Sequence, residues 1–257
     1  MKTIKFAASS LIMLAGTILF CRDVLADSTP HSPLGEMMAH GNYTTGQLMF
    51  DRLEVARSND NHTTAVWDVQ GWYGGDYHRV VVKTEGENTR DDGEPTHLER
   101  AEVLYSYLVS TFWSVQAGVG LRGELGADNT REHYMALGIQ GLAPYWFEMD
   151  NTLLINEQGN MQAISEVEYD WVLTQRSFLQ PRMELTVNLT DANEYNREAG
   201  FSHVRMGLRY RYEINRKLAP YAGVYWDKWL GQDANTRQQR GESTSETGFV
   251  IGIRAWF

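Results

Sequence analysis

One cysteine, Cys21, and six prolines are spread over 257 residues, and long apolar runs are scarce. A single cysteine excludes an internal disulfide framework and a multi-thiolate metal centre. The only extended apolar run goes from Phe6 to about Phe20, and no other segment approaches the roughly 18 to 20 apolar residues of a spanning helix. A bundle of transmembrane helices is therefore excluded. Lys2 and Lys5 precede that run and Val24-Leu25-Ala26 follows it, which is the pattern of a cleaved signal peptide over 1–26 with Asp27 as the first mature residue. Phe20 is a poor neighbour for lipoprotein processing at Cys21, so the mature chain is expected to hold no cysteine. Basic residues are also few. Removing Lys2, Lys5, Arg22 and Asp23 with the signal leaves 20 basic and 32 acidic residues of the original 23 and 33, a formal charge of −12. That balance speaks against nucleic acid as a partner. No Ser/His/Asp arrangement, phosphate-binding glycine loop or histidine pair at helical spacing is present, so the sequence gives no reason to expect an enzyme.

What the chain does have is aromatic residues, glycine and alternation. Aromatics make up 12% of the residues, glycines number 23, and mean hydropathy is −0.42. In the closing segment 247–257, Phe249, Ile251, Ile253, Ala255 and Phe257 alternate with smaller or polar residues. One apolar face and one polar face, ending on an aromatic residue, fit a wall between lipid and a polar lumen. Similar segments recur near 48–57, 64–73, 77–87, 97–109, 113–124, 132–142, 145–157, 161–172, 178–189, 201–214, 218–230 and 246–257. Tight spacers (Gly74-Gly75-Asp76, Ser110-Thr111-Phe112, Ala143-Pro144, Gln175-Arg176-Ser177, Asn215-Arg216-Lys217) alternate with longer polar ones at 88–96, 125–131, 190–200 and 231–245, the short 157–160 excepted. The predicted fold is all-β: a 12-stranded antiparallel transmembrane β-barrel over 48–257, in the outer membrane of a Gram-negative bacterium, with periplasmic short turns. A soluble β-sandwich would not need an apolar face on every strand. Residues 27–47, short of aliphatics, are predicted to form a flexible periplasmic arm.

Period two assigns the faces. Phe147, Met149 and Leu153, then Val167, Tyr169 and Trp171, then Met183, Leu185 and Val187, then Val204, Met206, Leu208, Tyr210 and Tyr212 are predicted to face lipid. The complementary faces carry Glu148 and Asp150, Glu166, Glu168 and Asp170, Arg182 and Glu184, and Arg205, Arg209 and Arg211. An acidic wall thus stands beside a basic one. These groups either pair and fill a narrow lumen, or present carboxylates to a passing cation. Glu85, Glu102, Arg122, Asp227 and Arg254 also point inward, and of His62, His78, His97, His133 and His203 only His203 does. The arm offers softer donors in His31, Met37, Met38 and His40. Thioether and imidazole suit Cu(I), and imidazole also suits Cu(II). Met135, Met149, Met161, Met183 and Met206 fall on lipid faces and read as apolar filling.

Longer blocks carry a resemblance. Val66-Trp-Asp-Val-Gln-Gly-Trp-Tyr-Gly-Gly-Asp-Tyr77, Lys83-Thr-Glu-Gly-Glu87, Gln140-Gly-Leu-Ala-Pro-Tyr-Trp-Phe-Glu148, Glu168-Tyr-Asp170, Leu173-Thr-Gln-Arg176, Leu179-Gln-Pro-Arg-Met-Glu184, Leu208-Arg-Tyr-Arg-Tyr-Glu-Ile214, Ala219-Pro-Tyr221 and Ile253-Arg-Ala-Trp-Phe257 resemble the copper resistance protein B family of Gram-negative outer membranes. The resemblance implies a barrel acting in periplasmic copper tolerance beside a multicopper oxidase and small copper-binding chaperones, with copper as ligand. Many members have repeated Met- and His-rich motifs in their extension, whereas this chain has only His31, Met37, Met38 and His40. High-capacity storage is therefore not expected. Three readings follow: a barrel that binds copper and sequesters it or passes it outward, a narrow pore for small polar solutes, and a filled barrel anchoring a periplasmic copper oxidase.

Overall fold

Alternation of β-branched and aromatic residues with polar ones produces strands throughout, because a half-buried pleated surface suits that pattern. The computed structural model describes residues 44–60, 62–89, 96–125, 131–195, 197–241 and 243–257. The signal peptide expected over 1–26, and His31, Met37, Met38 and His40 of the arm, lie outside the described residues. The strands are β1 (Thr45–Ser58), β2 (Thr63–Gly74), β3 (His78–Thr89), β4 (Thr96–Ser110), β5 (Trp113–Leu125), β6 (Glu132–Ala143), β7 (Phe147–Asn156), β8 (Met161–Glu168), β9 (Trp171–Thr174), β10 (Ser177–Asn188), β11 (Gly200–Tyr212), β12 (Leu218–Trp229) and β13 (Ser245–Trp256). The expected arm reached residue 47, but Thr45 already pairs with Gly74, so the strand claims its last three residues.

All pairings are antiparallel, and β10–β11 and β13–β1 close the sheet on itself. Both β8 and β9 pair with β10 and make a single stave, so the barrel has twelve staves. The interruption of the stave expected at 161–172 has a local cause. Pro181 of β10 lies opposite the break; it accepts from the Tyr169 amide at 3.1 Å but has no N–H to return a bond. The carboxyl end is fastened by two bonds, Phe257 N to Leu48 O at 2.8 Å and Leu48 N to Phe257 O at 3.0 Å.

Outside, Val55, Val80, Val103, Val119, Phe249 and Ile251 are exposed as a lipid-facing band. Tyr77, Phe112, Tyr145, Trp146, Trp171 and Phe257 project at the short-turn rim, the position of an interfacial aromatic girdle. Phe147, Trp171, Met183, Met206, Leu208, Tyr210 and Tyr212, expected on the lipid side, are exposed there. Tyr145 and Trp146 take φ of 67° and 69°, the left-handed region that bulky residues avoid, in the short 3-10 turn leading from β6 into β7. Among the described residues no helix is long and apolar enough to cross a membrane, so the strands do the crossing.

One element departs from expectation. The 231–245 spacer contains a helix, α1 (Gly231–Gln239), where a plain loop was expected. Its sequence, Gly-Gln-Asp-Ala-Asn-Thr-Arg-Gln-Gln, has no apolar stripe for a helical period to reveal. Side-chain contacts with neighbouring staves hold it: Asp233 accepts from the Ser202 hydroxyl, and the Arg237 guanidinium lies 3.8 Å from the Trp229 ring centroid.

Candidate functional site: the charged lumen

Because alternate residues of each stave point inward, the interior is lined by the polar half of the sequence, and Arg52, Glu54, Lys83, Glu85, Arg182, Arg209 and Asp227 are buried there. Burial of charge is tolerated only with partners, and the partners come from several directions. Arg209 grips Glu54 with two hydrogen bonds of 3.1 and 3.2 Å, and the Tyr221 hydroxyl donates to the same carboxylate at 2.9 Å. Arg205 pairs with Asp227 at 2.9 Å and reaches Glu99 at 3.5 Å. Arg211 meets Asp170 at 2.5 Å, and Arg254 meets Asp51 at 3.0 Å. Near the long-loop end, Glu132 takes Arg122 at 2.6 Å and also Arg197 of the β10–β11 loop. Burial and the neighbouring Arg122 hold the Arg197 guanidinium below the usual arginine range, with Glu132 opposing them.

The acidic face of β7 to β9 does not stand apart from the basic face of β10 and β11. Asp150 is bound by Lys83 of β3 at 2.5 Å, from across the lumen. Glu166, Glu168 and Glu184 surround Arg182 at 2.8, 3.3 and 3.7 Å. Glu148 is exposed at the short-turn mouth. His203 points inward, its Nε2 3.8 Å from Asp227 and its ring 5.1 Å from that of Trp229. The other residues expected to point inward each have a partner in the lumen. Glu85 contacts Arg52 and Arg100, Glu102 accepts from the Tyr134 hydroxyl at 3.0 Å, Arg122 holds Glu132, Asp227 holds Arg205, and Arg254 holds Asp51.

Sequence reasoning missed Arg52, Asp68, Lys83 and Arg100. A bulge between Phe50 and Leu53 and another between Leu98 and Ala101 break the alternation, so Asp51 and Arg52 both form lumen ion pairs, as do Glu99 and Arg100. It also missed an apolar cluster inside the barrel, in which Val81, Leu104, Tyr134, Ala136 and Leu154 pack with Trp72 and Ile164. The available signal was the run Leu153-Leu154-Ile155, apolar on both faces of one strand.

At the long-loop end the lumen widens into a cavity of about 670 Å³, lined by residues that include Arg205, Tyr225, Asp227, Trp229 and Glu246. His62, expected to point away, lines it from the β1–β2 turn. Arg52 and Arg182 line its inner part. Among the described residues no group of three or more His, Cys, Asp or Glu side chains is arranged to hold a metal ion. Most inward carboxylates are engaged by arginine or lysine, and Glu102 and Glu246 by tyrosine hydroxyls, which makes this interior a largely charge-compensated filling.

Known proteins give this barrel its relatives. The family described as Copper resistance protein B precursor (CopB) matches residues 44–257. The chain is 34% identical over 236 residues to Copper resistance protein B of Escherichia coli, covering 91% of this chain and 77% of that protein. It is 33% identical over 218 residues to a Copper resistance protein B homolog of Pseudomonas syringae pv. tomato, covering 85% and 72% respectively. Among solved structures, the NanC porin superposes with a TM-score of 0.53 at 11% identity, covering 81% of this chain and 98% of that one, a likeness of fold alone. The chain therefore belongs to the copper resistance protein B family: it is an outer-membrane β-barrel with a role in copper resistance.

Proposed function

We propose that this barrel is a non-enzymatic copper-binding protein that captures the metal on the periplasmic side through His31, Met37, Met38 and His40 and sequesters it there, passing it outward only if the lumen opens. The observation that carries this reading is the lumen itself. Ion pairs such as Lys83–Asp150 and Arg182–Asp68 join staves separated by three and four others and so cross the lumen, an arrangement unsuited to a free diffusion route for polar solutes. The copper resistance family then asks for a copper donor set. The lumen carboxylates are hard and most are engaged, whereas the arm supplies thioethers and imidazoles, which match copper and survive an oxidising compartment without deprotonation. Both termini of the barrel lie at the short-turn rim, which by the rule for bacterial barrels faces the periplasm.

A filled lumen also supports a second reading, a barrel that anchors a periplasmic multicopper oxidase or copper chaperone. The two part on the arm. Cells carrying Met37→Ala, Met38→Ala and His40→Ala together are expected to lose most of the copper tolerance that the unaltered protein confers, at equal protein level in the membrane. Unchanged tolerance would remove the arm from the account and leave the anchor.

A further inference from the structure

Six lumen side chains form a closed circuit of alternating sign. Arg52 of β1 meets Asp68 of β2 at 3.2 Å; Asp68 meets Arg182 of β10 at 3.8 Å; Arg182 meets Glu166 of β8 at 2.8 Å. Glu166 meets Arg100 of β4 at 3.8 Å; Arg100 meets Glu85 of β3 at 2.8 Å; Glu85 returns to Arg52. In the order of the staves β2 and β10 are separated by four staves on the shorter side, and β4 and β8 by three. Two links of the circuit therefore span the lumen rather than run along the wall. Half of the ring is buried, with Arg52 and Arg182 side chains each 4% exposed and Glu85 5%, and the other half is largely covered, with Asp68, Arg100 and Glu166 at 13, 14 and 16%. Lys83–Asp150 makes another crossing, from β3 to β7, and the wide cavity at the long-loop end reaches inward to Arg52 and Arg182.

We propose that this ring is a septum that shuts the lumen to free ions, that Arg182 is its keystone, and that the carboxylates it holds form a latent cation filter. The reasoning is electrostatic. Among the described residues Arg182 is the one guanidinium in contact with four carboxylates, those of Asp68, Glu166, Glu168 and Glu184. Taking it away opens space at a spanning link and leaves those four facing it with one positive charge fewer, and a ring of carboxylates passes cations. The spanning links are the ring's longest contacts, at 3.8 Å each, so they are where it would part. Removing Asp68 instead keeps Arg182 facing Glu166, Glu168 and Glu184, so the opening is less cation-selective than the one left by removing Arg182. This inference goes beyond copper handling and does not rest on the arm.

The test is conductance of the folded mature barrel in planar bilayers, in potassium chloride without copper. Folding is checked by the shift in electrophoretic mobility between heated and unheated samples. The unaltered protein is expected to show no steady steps. Arg182→Ala is expected to give steady steps whose reversal potential under a salt gradient moves toward the potassium equilibrium potential. Asp68→Asn, which keeps volume and cuts a spanning link, is expected to give smaller openings whose reversal potential moves less far toward the potassium potential. Steady conductance by the unaltered protein overturns the septum, as does a folded Arg182→Ala barrel that is silent. Anion selectivity in that variant overturns the cation filter. Should Arg182→Ala not fold, the unaltered protein and Asp68→Asn decide: silence with steady, cation-favouring steps in the variant sustains the ring, anion selectivity overturns the cation filter, and silence in both overturns the septum. Failure of Arg182→Ala or Asp68→Asn alone leaves the copper reading standing, steady conductance by the unaltered protein removes the closed lumen that both readings share, and failure of the arm to bind copper leaves the septum standing.

Discussion

Lys83 is 3% exposed, and its ammonium reaches across the barrel to Asp150, whose other oxygen accepts from the Thr152 hydroxyl at 3.3 Å. A charge so placed depends on its partner, because a carboxylate left alone in a dry interior keeps its desolvation cost and loses the attraction that offset it. Lys83→Met is accordingly expected to destabilise the barrel by about 3–5 kcal/mol. Lys83→Met combined with Asp150→Leu removes both charges and is expected to recover most of that loss. Urea unfolding in lipid vesicles, followed by tryptophan fluorescence, measures both; equal destabilisation of single and double variants would mean that packing, not charge, sets the cost. Tyr221 makes a smaller contribution of the same kind. Its hydroxyl donates to a Glu54 carboxylate already gripped by Arg209, and Tyr221→Phe is expected to cost about 1–3 kcal/mol in the same assay.

Between neighbouring staves the same economy of space governs glycine. A Cβ at Gly120 of β5 would lie 2.6 Å from the ring of Tyr134 on β6 and 2.8 Å from Glu102 on β4. Tyr134 cannot swing away, since it is buried in the apolar cluster and its hydroxyl is bonded to Glu102. Gly120→Ala is expected to lower stability by about 1–3 kcal/mol. Gly75→Ala, in the β2–β3 turn with nothing within 4 Å of the added atom, is expected to be neutral. Equal unfolding midpoints for the two would contradict the packing argument. At this scale much was legible beforehand, because period two is a local property: the strands lie within about three residues of where alternation placed them, and the charged faces of β7 to β11 point inward. The ring was not legible. Two bulges turn consecutive residues inward on β1 and β4, and the contact of Asp68 with Arg182 joins strands with no sequence relation to one another. Helix α1 was hidden by its uniform polarity, and the arm's donor set stands outside the described residues.

At the largest scale, residues 44–257 form a closed wall whose lipid face is apolar and whose lumen holds mostly paired charge, and the family ties the protein to copper resistance. Hydrogen bonds of the wall begin with β1 at Thr45, so removing residues 27–42 is expected to leave barrel assembly and its urea midpoint unchanged. That independence allows the metal question to be asked of the barrel with and without its arm. The decisive measurement is copper affinity of the mature protein and of the protein lacking residues 27–42, by competition with a chelator, for Cu(I) without oxygen and for Cu(II) in air. Tight binding by the mature protein that disappears with residues 27–42 is the predicted result; equal binding by both forms, or none by either, would contradict copper capture by His31, Met37, Met38 and His40.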